Sequence, residues 1–94
     1  MDLLRRFNEQ FSRQSIGIID RIGAYVVSDI ALSLGQGATK ERVINVLRDK
    51  NSLIALHDDI TDDVLKTRLS TYINSDESYF KQVTALPVAV LKQI

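Results

Sequence analysis

The longest apolar segment of the chain covers residues 16–34 and stops at two glycines, Gly35 and Gly37. Residues 24–27 are rich in β-branched and aromatic side chains and alone would suit a strand. Nineteen residues without a turn signal are too many for one strand, however, so the segment is predicted to be a helix. Its apolar residues surround that helix almost completely, which is typical of a helix packed on several sides. They are Ile18, Ile19, Ile22, Tyr25, Val26, Val27, Ile30, Ala31 and Leu34.

The rest of the chain is predicted to form amphipathic helices, because its apolar residues recur at three- and four-residue spacing. Thr39, Thr61 and Ser75 are the predicted N-caps, and acidic residues follow the last two, where a helix dipole favours negative charge. Pro87 is predicted to end one helix or to start the last one, and residues 88–94 form either a short helix or an extended arm. The predicted helices cover residues 2–13, 39–50, 61–73 and 75–86, with a short helical turn at 53–56.

These elements predict an all-α fold, a small bundle of five or six helices with a central apolar helix. Ninety-four residues are too few to bury two useful cores, so a single domain over residues 1–94 is expected. All six aromatic side chains fall on the predicted inward faces of these helices, which favours a role in the core over base stacking. They are Phe7, Phe11, Tyr25, Tyr72, Tyr79 and Phe80.

The amino-acid composition makes several classes of function less favourable. Twelve basic and twelve acidic side chains cancel, so there is no overall charge to attract nucleic acid or an anionic membrane. The chain has no cysteine and one histidine, and no cofactor is expected. Residues 16–34 contain Asp20, Arg21 and Asp29, which favours a buried helix over a membrane span, and the amino terminus lacks a secretory signal. A cytoplasmic protein without membrane contact is expected.

The corner at Gly35 and Gly37 allows a helix-turn-helix interpretation, in which residues 39–50 form the recognition helix. Its candidate contacts to phosphates and base edges are Lys40, Arg42, Asn45 and Arg48. Two features disfavour this alternative. The turn is about two residues longer than the compact motif allows, and Glu41 and Asp49 would face the phosphates.

Residues 57–63, with the sequence HDDITDD, contain the only histidine and four aspartates. The segment lacks the alternating ligands, central glycine and closing glutamate of a calcium loop. Helix capping by Thr61 explains its acidity, so no metal site is predicted. His57 has no catalytic geometry that the sequence specifies with Ser52 or Asp58, so we do not expect an enzyme.

Both ends of the chain are more apolar than a frayed terminus requires. They either close the core or bury against a second chain. The preferred interpretation is a small helical protein–protein interaction module, an adaptor, regulator or inhibitor subunit, that binds another protein, itself, or both. DNA binding is the alternative. The predicted partner-binding residues are Leu3, Leu4, Phe7, Phe11, Val88, Val90, Leu91 and Ile94.

Overall fold

The long apolar segment forms a helix at the centre of the fold. A computed structural model describes residues 2–94, and Met1, which belongs to the predicted domain, lies outside them. The helices are α1 (Asp2–Phe11), α2 (Ile18–Leu34), α3 (Lys40–Arg48), α4 (Lys50–Asp59), α5 (Asp63–Ile73) and α6 (Glu77–Gln93). One 3₁₀ turn (Gly35–Gly37) follows α2, and residues 2–94 contain no strand. The all-α prediction is confirmed.

Helix α2 makes the most extensive helix–helix contact of the fold. It packs most extensively on α6 and also contacts α3 and α5, while α4 packs on α3 and α5. Its buried face carries Val26, Val27, Ile30 and Ala31, whose side chains are fully covered. The radius of gyration is 12.2 Å, against about 12 Å for a compact domain of this length.

The starts of α3, α5 and α6 were predicted to within about two residues. Thr39 caps α3, its hydroxyl accepting from the backbone N–H of Arg42 at 3.2 Å. The other two caps lie one residue later than predicted, because Asp62 and Asp76 supply the side-chain oxygens in place of Thr61 and Ser75. A carboxylate is as good an N-cap as a hydroxyl, and a sequence with both side by side leaves the choice open.

Residues 39–50 do not form one helix. Helix α3 ends at Arg48, and Asp49 then caps α4, accepting from the N–H of Asn51 at 3.0 Å. The predicted short turn at 53–56 is thus part of a ten-residue helix. The extended backbone of Asp49 separates the two helices, whereas the apolar pattern had placed the boundary after residue 50.

Pro87 neither ends nor starts a helix, and that prediction is wrong. Helix α6 continues through it to Gln93, so the chain end is neither a separate helix nor an extended arm. A proline inside a helix removes the N–H that would bond the carbonyl four residues earlier, here that of Val83. Gly23 of α2 lies against this carbonyl: a Cβ added to Gly23 would sit 1.8 Å from the Val83 oxygen and 2.7 Å from Pro87 Cγ. The absent side chain of Gly23 makes room for the altered turn of α6.

Both ends of the chain complete this core. Helix α1 packs on α6, its buried residues being Leu3, Phe7 and Phe11. The Phe7 and Phe11 rings are stacked with centroids 5.1 Å apart. Val90 and Leu91, near the end of α6, are also buried. One copy of the chain therefore buries all five of these side chains.

The approach of α2 to α6 makes a direct prediction for Gly23→Ala. Alanine favours a helix over glycine by about 1 kcal/mol, but here its methyl group would meet a backbone oxygen that cannot move without displacing α6. We expect a net loss of about 2–3 kcal/mol in the free energy of unfolding, measured by urea denaturation.

Gly17→Ala is the matched control, since a Cβ at Gly17 meets nothing within 4 Å. Gly17 is the N-cap of α2, and the change there is expected to stay below about 1 kcal/mol. Equal effects of the two substitutions would contradict the proposed role of the contact.

Candidate functional site

The predicted partner-binding residues lie mostly inside the molecule. Leu3, Phe7, Phe11, Val90 and Leu91 are buried, and the remaining three are partly buried against the same core. These three are Leu4, Val88 and Ile94. The set therefore does not form an exposed surface, and a docking face has to be sought among other residues.

One face of α2 is left uncovered. Ile18, Ile22, Tyr25 and Leu32 follow one another at intervals of four, three and seven residues, which places them on one side of the helix. Ile18 is 80% exposed, Tyr25 65% and Leu32 50%, while Ile22 is partly buried. We call these four residues the α2 stripe. Helix α2 is packed on several sides, as predicted, but the exposure of Tyr25 corrects the prediction that this side chain faces inward.

The sequence signal for the α2 stripe was present but ambiguous. Apolar residues surround α2, so their pattern does not tell which side the other helices leave open. The packing of Gly23 against α6 settles this, because it turns the opposite side of α2 outward. Tyr79, also predicted to be inward, is 40% exposed at the start of α6.

Asp29 interrupts the α2 stripe with a buried carboxylate. Its Oδ2 accepts a hydrogen bond from the Tyr72 hydroxyl at 2.8 Å, and its Oδ1 accepts from an Arg68 Nη1 at 3.3 Å. Both partners belong to α5, and the Arg68 side chain is 58% exposed. A buried charge is tolerated when it is paired and hydrogen-bonded. This cluster therefore attaches α5 to α2 beside the stripe.

The same contacts change the acidity of Tyr72. Burial of the phenol, its hydrogen bond to Asp29 and the negative charge of that carboxylate raise the pKa of Tyr72 well above its ordinary value. The neutral hydroxyl, which donates to Asp29, is thus the form that the folded protein holds.

A shallow groove continues the α2 stripe towards α5. Tyr25, Asp29, Leu32, Arg68 and Tyr72 line it. One turn before Arg68 on α5, Val64 is 60% exposed. The surface combines tyrosine, leucine and an exposed arginine, residue types that are common in protein-binding patches.

The four residues predicted to contact DNA differ in their intramolecular contacts and exposure. The Lys40 ammonium donates to the Ile94 carbonyl, and the Arg42 guanidinium donates to the Gly37 carbonyl at 2.8 Å. Asn45 and Arg48 are exposed. Five residues separate α2 from α3, more than the compact helix-turn-helix uses. The Asn45 amide also donates to the Ser52 hydroxyl at 3.4 Å. Three of the four side chains thus make intramolecular hydrogen bonds, and the DNA-binding alternative stays a prediction.

His57 bonds to a residue that the sequence did not indicate. Its Nε2 lies 2.8 Å from the Ser70 hydroxyl and its Nδ1 3.1 Å from Asp58 Oδ1. The order serine–histidine–aspartate is that of a hydrolytic triad, but the Asp58 side chain is 69% exposed and follows His57 directly in the chain. The side chain of His57 instead joins the end of α4 to α5. Among residues 2–94 no group of three or more histidines and carboxylates is arranged to hold a metal ion.

The search for similar proteins gives no guide to function. Comparison of the chain with models of known families, with curated proteins and with solved structures found no match. None of the helices in residues 2–94 is long and apolar enough to span a membrane. Functional inference therefore depends on the exposed surfaces of the bundle.

The Asp29 cluster predicts a measurable effect for Tyr72→Phe. The substitution removes the hydroxyl that donates to the buried carboxylate, so we expect a loss of about 1–2 kcal/mol in the free energy of unfolding at neutral pH. Tyr79→Phe serves as the control, because Tyr79 is exposed at the start of α6, and it should leave the stability unchanged.

The raised pKa of Tyr72 also predicts how stability depends on pH. In the unfolded chain the phenol ionises near its ordinary pKa of 10.0, while the folded protein keeps the proton. Unfolding therefore releases a proton above about pH 10, and this contribution to stability is lost as the pH rises further. The stability difference between wild type and Tyr72→Phe should shrink between about pH 8 and pH 11. A constant difference would contradict the raised pKa of Tyr72.

Proposed function

We propose that this protein is a small helical interaction module that self-associates through the α2 stripe. The single observation that carries the proposal is the exposure of Ile18, Tyr25 and Leu32 on one side of the helix that is otherwise the core of the fold. Isolated apolar residues are normal on a protein surface, whereas an aligned set marks a place where another surface packs.

The spacing of the α2 stripe favours a helix as the opposing surface. Including Asp29, its positions alternate between four- and three-residue steps, as along the seam of two packed helices. A second copy of the chain offers the same stripe, and a two-fold axis brings identical patches together. Self-association thus needs no feature beyond those that one copy shows.

The size of the α2 stripe supports a reversible contact. Its three exposed residues, Ile18, Tyr25 and Leu32, are far fewer than the roughly 20–30 residues that each partner contributes to a stable complex of standard size. The paired Asp29 and Arg68 lie beside this area and have their partners within one chain. The proposed dimer therefore does not depend on forming a new buried ion pair.

Substitution of Tyr25 by glutamate tests this proposal. A carboxylate at the centre of the α2 stripe would have to be desolvated on association, so Tyr25→Glu should weaken self-association at least about tenfold. Sedimentation equilibrium should show the wild-type mass rising above the monomer value of 10.6 kDa with concentration. The variant should remain at the monomer value over the same range.

Tyr79→Glu is the matched control, because it places the same charge at an exposed tyrosine of another helix. It should associate like the wild type. Circular dichroism should show that both variants keep their helices, since neither tyrosine is in the core. A wild-type protein that stays at the monomer mass up to about 1 mM, where even weak dimers form, would refute the proposal.

A further inference from the structure

A second exposed feature lies on the bundle between the end of α3 and the middle of α6. It is a concave groove whose apolar floor is formed by Leu47, Phe80, Ala85 and Val88. Leu47 and Phe80 are buried core residues that show only their edges, while Val88 is partly buried and Ala85 exposed. The α2 stripe contributes no residue to it. We call this feature the α3–α6 groove.

The rim of the α3–α6 groove is strongly basic. Arg48, Lys50, Lys81 and Lys92 line it together with one carboxylate, Glu77. The chain as a whole has no net charge, so this concentration of cations is a local property of the surface. It provides the positive potential that attracts an acidic ligand.

Lys50 has its position defined by the fold, whereas Lys81 makes only an exposed ion pair. The Lys50 ammonium donates to the Ser75 carbonyl at 2.7 Å and lies 6.0 Å from the centre of the Phe80 ring. Lys81 is 4.0 Å from Glu77, and both side chains are more than three-quarters exposed. An exposed pair at that distance contributes little and exchanges readily for another carboxylate.

The groove has the length of a short helix. Lys81, Ala85, Val88 and Lys92 recur every three or four residues on one side of α6. From Glu77 to Lys92 the helix rises about 22 Å, or roughly four turns. An apolar floor of this length between charged walls matches the way in which amphipathic helices dock into grooves.

From this combination we infer that the α3–α6 groove binds an acidic amphipathic helix of a partner protein. Its apolar face covers Ala85 and Val88, and its carboxylates pair with the lysines and Arg48 on the rim. A second copy of the α2 stripe fits less well, because exposed Arg21 flanks that stripe. Nucleic acid also fits less well, since Phe80 is too deeply buried to stack on a base.

Synthetic peptides of about 16 residues, long enough to span the groove, provide the test. One peptide places leucines on one helical face and glutamates on the others. A second has lysines in place of the glutamates, and a third is a scramble of the first without an apolar face. We expect the first alone to bind the full chain in fluorescence anisotropy. Its affinity should fall with salt, and amide shifts should map to α3 and α6.

Two variants separate the contributions of the basic rim and of the apolar floor to peptide binding. Lys81→Glu combined with Lys92→Glu should weaken binding of the acidic peptide at least about tenfold. Ala85→Arg adds positive charge but fills the floor, so it should also abolish binding. The control Arg13→Glu reverses an exposed cation that does not line the groove and should bind like the wild type. Circular dichroism should show that all variants are folded.

Several outcomes would overturn the inference. Equal affinity for the scrambled peptide would show attraction by charge alone, and unchanged binding to the double lysine variant would place the peptide elsewhere. Displacement of the peptide by duplex DNA, or by vesicles of anionic lipid, would assign the groove to those ligands instead. Monomeric Tyr25→Glu should bind the peptide with wild-type affinity, so failure of self-association through the α2 stripe remains distinguishable from failure of the groove.

Discussion

The architecture depends on the contact between Gly23 of α2 and the turn of α6 that contains Val83 and Pro87. Proline leaves the Val83 carbonyl without its usual helical donor, and only a residue without a side chain approaches that carbonyl closely enough to fill the space. The two departures from ideal helix sequence, a glycine in one helix and a proline in the other, are therefore complementary. Their contact fixes the rotation of α2, since Val26, Val27 and Ile30 face the core when Gly23 faces α6. The α2 stripe lies on the opposite side of the same helix.

The remaining helices cover what this contact leaves open, but only in part. Helix α1 closes one side of α6 with Leu3, Phe7 and Phe11. Helix α5 approaches α2 through the hydrogen bonds that Asp29 accepts from Tyr72 and Arg68. A buried carboxylate needs donors within hydrogen-bond distance, so these bonds fix the position of α5 relative to α2. In that position α5 lies beside the α2 stripe and leaves its apolar side chains exposed.

The sequence predicts the helices well because their starts and apolar spacing are local properties. Thr39 was identified as a cap, and Asp62 and Asp76 lie next to the residues chosen. Tertiary properties were predicted less well. The effect of Pro87 depends on Gly23, which lies 64 positions away in the chain. The apolar sequence of the two chain ends is the same whether they pack on their own core or on another chain. The α2 stripe and the α3–α6 groove depend on which faces neighbouring helices cover, and no local pattern contains that information.

The distribution of the uncovered surface is itself informative. A chain of this length cannot bury all of its apolar residues, because small domains have much surface for their volume. Scattered exposure would then need no explanation. Of the seven large apolar side chains that are exposed among residues 2–94, Ile18, Tyr25 and Leu32 are aligned on α2. The cations Lys81 and Lys92 lie on a different side of α6 from the one that meets Gly23. Since the two surfaces share no residue, a copy of the chain on one leaves the other accessible. With the two docking faces that we propose, one apolar and one basic, the bundle would bring an acidic helix to a self-associated core, as an adaptor does.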